Sequence, residues 1–267
     1  MTRSTGPKRA ATAIRRPTPP IAVALLLVAA VAVLGIPAAA QAYDSADELM
    51  AAVEARPEPA SVEAILEMTI ANAAGQSLTR EMRSWSTGAE RRLLKFTAPA
   101  DIAGSGFLRI DDGSVDETLV YLPALDRVRR VAGGQRGESF FGSDFAYEDV
   151  EGIDPDDYTY VLLRVEDGPR YVIEATPTAA SGSTYDRLVL EVPEATLIPE
   201  RVVYYRGDEA IKELTVHDVQ QVGDYLLGME RRMVTLDRGS TTVIRQSDVN
   251  LDGDLTDEIF TERFLRR

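Results

Sequence analysis

Side chains that could carry out acid–base or nucleophilic chemistry are scarce in this chain. It contains no cysteine and one histidine, which excludes a thiol nucleophile and a thiolate metal site. His217 shares the polar side of the predicted strand 211–219 with Glu213, so we expect it to face solvent. Gly104-Ser105-Gly106 lacks the G-x-S-x-G spacing of a nucleophile elbow and is more typical of a close backbone approach. We predict no catalytic residue, and an exported enzyme is retained only as an alternative.

One acidic stretch resembles the beginning of a calcium-binding loop. Residues 248–253 read DVNLDG, but the glutamate that such a loop needs at position twelve is replaced by Ile259, and Glu258 comes one residue early. A carboxylate-rich turn is the interpretation that this spacing favours. Asp111-Asp112 and Asp156-Asp157 adjoin glycine or proline and are typical of turns. We predict no metal site and no cofactor, and leave open whether Asp248 to Asp252 binds calcium.

Residues 1–42 have the pattern of an export signal. Five basic residues and no acidic ones precede the apolar run Ile21 to Ile36, which is shorter than the roughly 20 residues that span a membrane. Ala40-Gln41-Ala42 fits a cleavage site. An uncleaved anchor is the alternative. Arg15-Arg16 is followed by Pro-Thr-Pro-Pro, which fits twin-arginine export poorly and favours the Sec route. We predict a cleaved signal peptide and one domain over residues 43–267.

The composition of the predicted mature chain is strongly acidic. Removing the signal segment takes away five of 29 basic residues and none of 43 acidic ones, so the net charge falls from −14 to −19. This acidity argues against binding to nucleic acid or to anionic membrane surfaces, although it could also reflect a saline habitat. Without cysteine, the exported protein has neither disulfides nor an amino-terminal lipid, and its stability must come from its core.

The hydrophobic pattern predicts a mainly β protein. Ser45 to Arg56 has a helical stripe with Ser45 or Asp47 as cap, and Pro57 ends it. From Val62 onward the apolar period changes to two, with glycine-containing turns between short runs. Counting these runs gives about ten or eleven strands, as in a barrel or a sandwich. Thr256 to Leu265 predicts a short helix at the end of the chain, with Thr256 as its cap.

Residues 133–155, which we call the aromatic segment, break the strand pattern. They contain Phe140, Phe141, Phe145 and Tyr147, four of the 17 Phe and Tyr residues in the chain. Aromatic side chains bury a large apolar area, so a loop this rich in them must cover something. One interpretation is a lid over a cavity, and the alternative is an ordinary core beneath a long loop.

Two arginines precede the aromatic segment. Arg129 and Arg130 lie in the run Arg127 to Val131. A guanidinium group can hold a phosphate or a carboxylate with two hydrogen bonds, so a lipid headgroup contact is one hypothesis. An edge strand protected by charge is the alternative.

Several longer motifs carry a family resemblance. They are K-F-T-A-P at 95–99, G-S-G-F-L at 104–108, Y-L-P-A-L-D-R-V-R-R at 121–130, S-F-F-G-S-D-F-A-Y-E-D at 139–149 and F-T-E-R-F-L at 260–265. Together they resemble the periplasmic outer-membrane lipoprotein-sorting proteins, carriers similar to LolA. The chain is most similar to the single-domain branch often encoded beside RND-type (MMPL-like) exporters.

This resemblance implies a fold and a site. The fold would be α+β but mainly β: an incomplete, strongly curved antiparallel β-barrel with an N-terminal helix, a lid loop and a short C-terminal helix. An apolar cavity under the lid would be lined by Phe107, Tyr121, Leu122, Phe140, Phe141 and Phe145. No enzymatic activity accompanies this family.

The resemblance also implies a function. The protein would be a soluble periplasmic carrier that shields acyl chains of lipoproteins or other lipids, with only transient membrane contact. An inner-membrane RND/MMPL-type or ABC exporter would be its donor and the outer membrane its destination. The alternative is a lipid-binding sensor or accessory subunit similar to RseB or MucB, although those proteins carry a second domain for which this chain is too short.

Overall fold

A computed structural model describes residues 1–2, 42–88, 90–113 and 115–267. The predicted signal peptide lies almost entirely outside these residues, so its cleavage stays a prediction. Residues Gln41–Arg267 form one compact unit. Over the described part of the chain, no helix has the length and hydrophobicity needed to cross a membrane.

One antiparallel sheet dominates the described residues. Its thirteen strands are β1 (Val62–Ala71), β2 (Ser77–Thr87), β3 (Arg91–Ala98), β4 (Gly106–Asp111), β5 (Asp116–Leu122), β6 (Arg127–Val131), β7 (Tyr158–Glu166), β8 (Arg170–Pro177), β9 (Arg187–Pro193), β10 (Arg201–Arg206), β11 (Glu209–Val222), β12 (Tyr225–Thr235) and β13 (Ser240–Leu251). Three short helices accompany them: α1 (Ala46–Glu54), α2 (Tyr147–Glu151) and α3 (Glu262–Leu265).

The strand order explains why the barrel is incomplete. It runs β6-β5-β4-β3-β2-β1-β13-β12-β11-β10-β9-β8-β7. Strands that are consecutive in the chain pair with each other, except β6 and β7. The pairing of β1 with β13 joins the two halves in the middle of the sheet. The edges are β6 and β7, which are consecutive in the chain. The predicted fold class, a curled open antiparallel sheet of the incomplete-barrel kind, is confirmed.

The sequence prediction of ten or eleven strands is too low, because two turns lack a glycine signal. The turn between β5 and β6 contains a 3₁₀ helix, Pro123–Leu125, and then Asp126 at φ 44°. The turn between β9 and β10 places Leu197 at φ 52°. Non-glycine residues adopt this left-handed region rarely, so the sequence does not mark these turns.

Alternation along the strands gives the sheet two apolar faces. On β3, Leu94 and Phe96 belong to the larger cluster of buried residues, on the inner face of the curl, whereas Leu93 belongs to a second, smaller cluster on the outer face. Successive strand side chains point to opposite sides, so one strand contributes to both clusters. Helix α1 adds Leu49 and Met50 to the inner cluster. Its predicted cap is confirmed, since Ser45 Oγ accepts a hydrogen bond from Glu48 N at 3.1 Å.

The end of the chain covers the outer cluster. The prediction of one helix from Thr256 to Leu265 is wrong: a 3₁₀ turn, Asp257–Ile259, is followed by α3. The side chain of Thr261, not that of Thr256, caps α3 by accepting a hydrogen bond from Phe264 N at 3.2 Å, so the helix begins anew there. Leu265 is fully buried. A Cβ on Gly106 would lie 2.6 Å from Leu265 Cδ1, which explains a glycine at the start of β4.

We therefore expect Leu265→Ala to lower the free energy of unfolding by about 2–5 kcal/mol, because it removes fully buried apolar atoms and leaves a cavity. Urea denaturation measures this change. The matched control is Leu125→Ala, since Leu125 is 61% exposed and its truncation should change stability by no more than about 0.5 kcal/mol. Equal effects of the two substitutions would show that α3 does not close the outer cluster.

Candidate functional site

The aromatic segment connects the two edge strands of the open sheet. It contains 3₁₀ turns at Gly133–Gly137 and Phe140–Gly142, followed by α2. Because β6 and β7 lie at opposite ends of the strand order, the chain must cross from one edge to the other. The side-chain contacts of the segment show that it does so over the inner face.

The aromatic side chains of the segment pack into the inner cluster. Phe140 is fully buried, with its ring centroid 5.6 Å from that of Phe107 and 6.1 Å from that of Phe96. Phe141 approaches Phe96 at 4.6 Å, and Tyr147 stacks on Phe107 at 6.3 Å. The aromatic residues are thus part of the main core and not a separate cluster beneath a loop.

A buried carboxylate attaches the segment to the turn between β12 and β13. Asp144 accepts hydrogen bonds from the hydroxyl groups of Thr235 at 2.6 Å, Thr242 at 2.7 Å and Ser240. Its own backbone N–H donates to Thr242 Oγ1 at 2.9 Å. Hydrogen bonds to a charged acceptor are stronger than neutral ones, so this residue fixes the middle of the segment to β12 and β13, in the middle of the sheet.

Helix α2 carries three more carboxylates, two of which bind the loop between β8 and β9 and one of which binds β5. Glu148 accepts from the backbone N–H of Thr184 at 3.0 Å, and Glu151 accepts from Thr118 Oγ1 at 2.6 Å. Asp149 accepts from the Tyr185 hydroxyl group at 2.8 Å and lies 3.2 Å from Lys212 Nζ. Burial, and then the neighbouring Asp149, raise the pKa of Tyr185, which keeps this phenol a donor.

A cavity of about 370 Å³ lies between the segment and the inner face. A dry cavity of about 150 Å³ already holds benzene, and small-molecule pockets begin at about 300 Å³. The space is therefore large enough for an apolar chain. Its apolar wall includes Leu66, Met82, Leu94, Phe140, Phe145 and Ile244.

Three arginines also line this cavity: Arg56, Arg92 and Arg231. Burial, and then the positive charge of Arg231, lower the pKa of Arg92 to about 10, while Glu58 acts in the opposite direction. Burial and the nearby Arg56 lower the pKa of Arg231. The side chain of Arg231 is nonetheless exposed, because it faces the open space of the cavity.

A second cavity of about 440 Å³ adjoins the first at Glu58, Arg92 and Asp149. Acidic residues outnumber basic ones in its wall, and they include Glu90, Asp111, Glu148, Glu151, Asp154 and Asp157. The first cavity, whose wall is partly apolar, thus continues into a more polar one, and Arg92 lies where they meet.

The six predicted cavity residues fall into three groups. Phe140 and Phe145 line the cavity. Phe107, Phe141 and Leu122 belong to the inner cluster or pack against it, without forming the cavity wall. The placement of Tyr121 is wrong: it belongs to the outer cluster, with Lys95 and Arg266 over its ring. Adjacent residues of a strand point to opposite faces, so Tyr121 and Leu122 cannot both face inward.

The two predicted headgroup arginines are engaged within the protein. Arg129 lies 3.0 Å from Glu138 and donates to the Tyr147 hydroxyl group at 3.3 Å. Arg130 donates to the backbone oxygen of Asp116 at 2.8 Å. Neither lines the cavity, and β6 is an edge strand, as the alternative interpretation expected.

Two other sequence predictions concern the orientation of His217 and the binding of metal ions. His217 is exposed, with its ring nitrogen 2.9 Å from Thr215 Oγ1, which agrees with the predicted outward orientation. Among the described residues, no three His, Cys, Asp or Glu side chains are grouped so that they could hold a metal ion.

The role of Asp144 leads to a prediction. Asp144→Ala should lower the free energy of unfolding by about 1–3 kcal/mol, because three buried or half-buried hydroxyl groups lose a charged acceptor. Amide hydrogen exchange in residues 139–151 should accelerate more than exchange in β1 or β13. Asp237→Ala, in the exposed turn beside the same hydroxyl groups, is the control and should leave both quantities unchanged. Unchanged exchange in Asp144→Ala would contradict the anchoring role.

Comparisons with known proteins agree with this architecture. A family model described only as an uncharacterized protein matches residues 88–267. No curated protein sequence matches the chain significantly. A DUF1329 family protein from Desulfovibrio piger is 29% identical, with a TM-score of 0.76 over 82% of this chain and 96% of that one.

Two further solved structures show the shared fold and the family. A LolA superfamily protein from Nitrosomonas europaea shares the fold at 22% identity, with a TM-score of 0.67 over 83% of this chain and all of its own. A domain described as an outer membrane lipoprotein-sorting protein, from Vibrio parahaemolyticus, is 30% identical, with a TM-score of 0.77 over 82% of this chain and 97% of that domain. The chain therefore belongs to the outer-membrane lipoprotein-sorting protein family.

Proposed function

We propose that this protein is a periplasmic carrier that binds the acyl chains of lipoproteins or other lipids in the cavity behind the aromatic segment. The observation that carries the proposal is the cavity itself, about 370 Å³ between an apolar sheet face and a segment that bridges the sheet edges. The relationship to lipoprotein-sorting proteins supports a lipid or lipoprotein as the class of ligand.

The energetics of an acyl chain require such a site. Each CH₂ group transferred from water into an apolar environment gains about 0.8 kcal/mol. A soluble carrier must supply that environment during transit and then give it up at the destination. Leu66, Leu94 and Ile244 supply the apolar wall on the sheet side, and Phe145 supplies it on the segment side.

Loading and release require a second state of the aromatic segment. Four carboxylates define the closed state. Asp144 binds β13, Glu148 and Asp149 bind the loop between β8 and β9, and Glu151 binds β5. All four carboxylates can be hydrated when the segment lifts, which limits the cost of opening. A membrane partner needs only to bind the open state more tightly than the closed one to shift this equilibrium.

The donor and acceptor are part of the proposal. An inner-membrane exporter of the RND/MMPL or ABC type would load the carrier, and the outer membrane would receive the cargo. The net charge of −14 for the whole chain disfavours lasting adhesion to anionic lipid headgroups, so contact with either membrane would be transient. We assign no enzymatic activity to the protein.

Filling the cavity from the sheet side tests the proposal. Phe140 is fully buried, so replacing it would damage the core and the cavity wall together. Ser84 is better suited, since it lines the cavity and pairs in register with Ala64 and Leu94. We expect Ser84→Trp to weaken binding of a fluorescent fatty acid by about tenfold or more, which is roughly 1.4 kcal/mol, because the indole occupies the space of the chain.

The control for this experiment is Thr79→Trp. Thr79 is exposed on the outer face of the same strand, so the same indole should leave fatty-acid affinity unchanged. Circular dichroism would confirm that both variants keep their β structure. Equal affinity of wild type, Ser84→Trp and Thr79→Trp would place the ligand outside this cavity and overturn the proposal.

A further inference from the structure

We propose that the cavity binds an anionic headgroup, a carboxylate or a phosphate carried on an apolar chain, between the guanidinium groups of Arg92 and Arg231, with Arg56 beside them. This inference rests on the proposed function, because it names the chemical class of ligand that the same cavity would take.

Strand alternation directs both arginines inward. Arg92 on β3 is in phase with Leu94 and Phe96 of the inner cluster. Arg231 on β12 is in phase with Met233, which is fully buried in that cluster. A charged residue at an inward position of a strand departs from the apolar pattern of its neighbours, and such a departure indicates a functional site.

The other charged side chains that line the cavity already have partners. Arg56 and Glu58 form an ion pair at 2.8 Å. Asp149 pairs with Lys212 at 3.2 Å and also accepts from Ala146 N at 2.6 Å. These two carboxylates are thereby neutralised by cations other than Arg92 and Arg231.

Arg92 and Arg231 have no carboxylate partner in the described parts of the chain. Arg92 donates to the backbone oxygen of Val150, and Arg231 forms neither an ion pair nor a hydrogen bond with any described residue. The buried Nε of Arg56 also lacks a hydrogen-bond partner there. Two positive charges and one unused N–H donor therefore face the same space.

This arrangement is unfavourable without a ligand. Arg92 is only partly exposed, and withdrawing a charge from water without a carboxylate partner costs free energy. The charge of Arg231 lowers the pKa of Arg92, and the charge of Arg56 lowers the pKa of Arg231, so neighbouring guanidinium groups repel one another. With its pKa still near 10, Arg92 stays protonated at neutral pH, so the repulsion persists until an anion enters. A perturbed cationic cluster in a cavity is the usual setting of a binding site.

The shape of the ligand follows from the wall of the cavity. Guanidinium groups match the oxygen atoms of carboxylates and phosphates through paired N–H donors. Leu66, Met82 and Leu94 line the same cavity as the arginines, so an apolar chain can extend from the bound headgroup. A free anion such as inorganic phosphate would leave that apolar wall unused.

Three probes with the same chain test the inference: laurate, dodecyl phosphate and the neutral dodecanol. Isothermal titration calorimetry below the micellar concentration gives their affinities. We expect the wild-type protein to bind at least one anionic probe about tenfold or more tightly than dodecanol, the size of effect that charge-assisted hydrogen bonds give. The preferred anion identifies the headgroup as a carboxylate or a phosphate.

Arg231→Met should remove the preference for anionic probes while leaving the affinity for dodecanol unchanged. It should not lower the midpoint of thermal unfolding, because the charge that is lost has no partner. Arg232→Met is the matched control, since Arg232 is exposed on the opposite face of the same strand. It should leave all three affinities unchanged.

The outcomes separate this inference from the carrier proposal. If wild type binds dodecanol as tightly as both anionic probes, or if Arg231→Met leaves the anion preference intact, the headgroup site is wrong and the acyl cavity stands. If none of the three probes binds, the carrier proposal is overturned and the headgroup site with it.

Discussion

The hydrogen bonds of the Asp144 carboxylate to Thr235, Ser240 and Thr242 are the constraint on which the rest of the site depends. The sheet is open, because its edges β6 and β7 do not pair, and an open curl cannot by itself enclose a cavity. The segment that joins those edges encloses one only if it is held across the inner face. Asp144 holds its middle there, and the carboxylates of α2 hold its end.

This arrangement separates two tasks that a carrier must combine. The aromatic side chains supply apolar area, and the carboxylates supply attachment. Apolar contacts favour closure without specifying position, whereas hydrogen bonds to a buried carboxylate are directional and cost most when only one partner is removed. The segment can therefore adopt one defined closed position. It can also leave that position without exposing a long apolar strand edge, because β6 carries charged residues at the edge.

Much of the fold can be predicted from the sequence, because the period-two pattern is a local property of each strand. The number of strands is underestimated where Asp126 and Leu197 occupy the conformation usually marked by glycine. Which strand pairs with which depends on contacts across the whole chain, and the pairing of β1 with β13 has no local signal. The importance of the aromatic segment can be predicted from its composition, but the destinations of its four carboxylates cannot, since each bonds to a residue at least 33 positions away.

In the candidate site, too, some features can be predicted from the local sequence pattern and others cannot. Alternation applied strictly would exclude Tyr121 from the cavity and would place Arg231 inside it, in phase with Met229 and Met233. The sequence signal for the cationic wall is therefore present, as an arginine at an inward position of an apolar strand. Arg129 and Arg130 attract more attention in the sequence than Arg231 because they are adjacent. In the structure, however, Arg129 pairs with Glu138 and Arg130 donates to the backbone of Asp116 at the sheet edge.

Native mass spectrometry of the protein, purified from its own host without denaturation, tests the central claim most directly. The account predicts a population whose mass exceeds that of the polypeptide by one lipid, and this population should be lost in Ser84→Trp but kept in Thr79→Trp. A single mass equal to that of the polypeptide, unchanged after incubation with laurate, would contradict the claim that the space behind the aromatic segment receives an acyl chain.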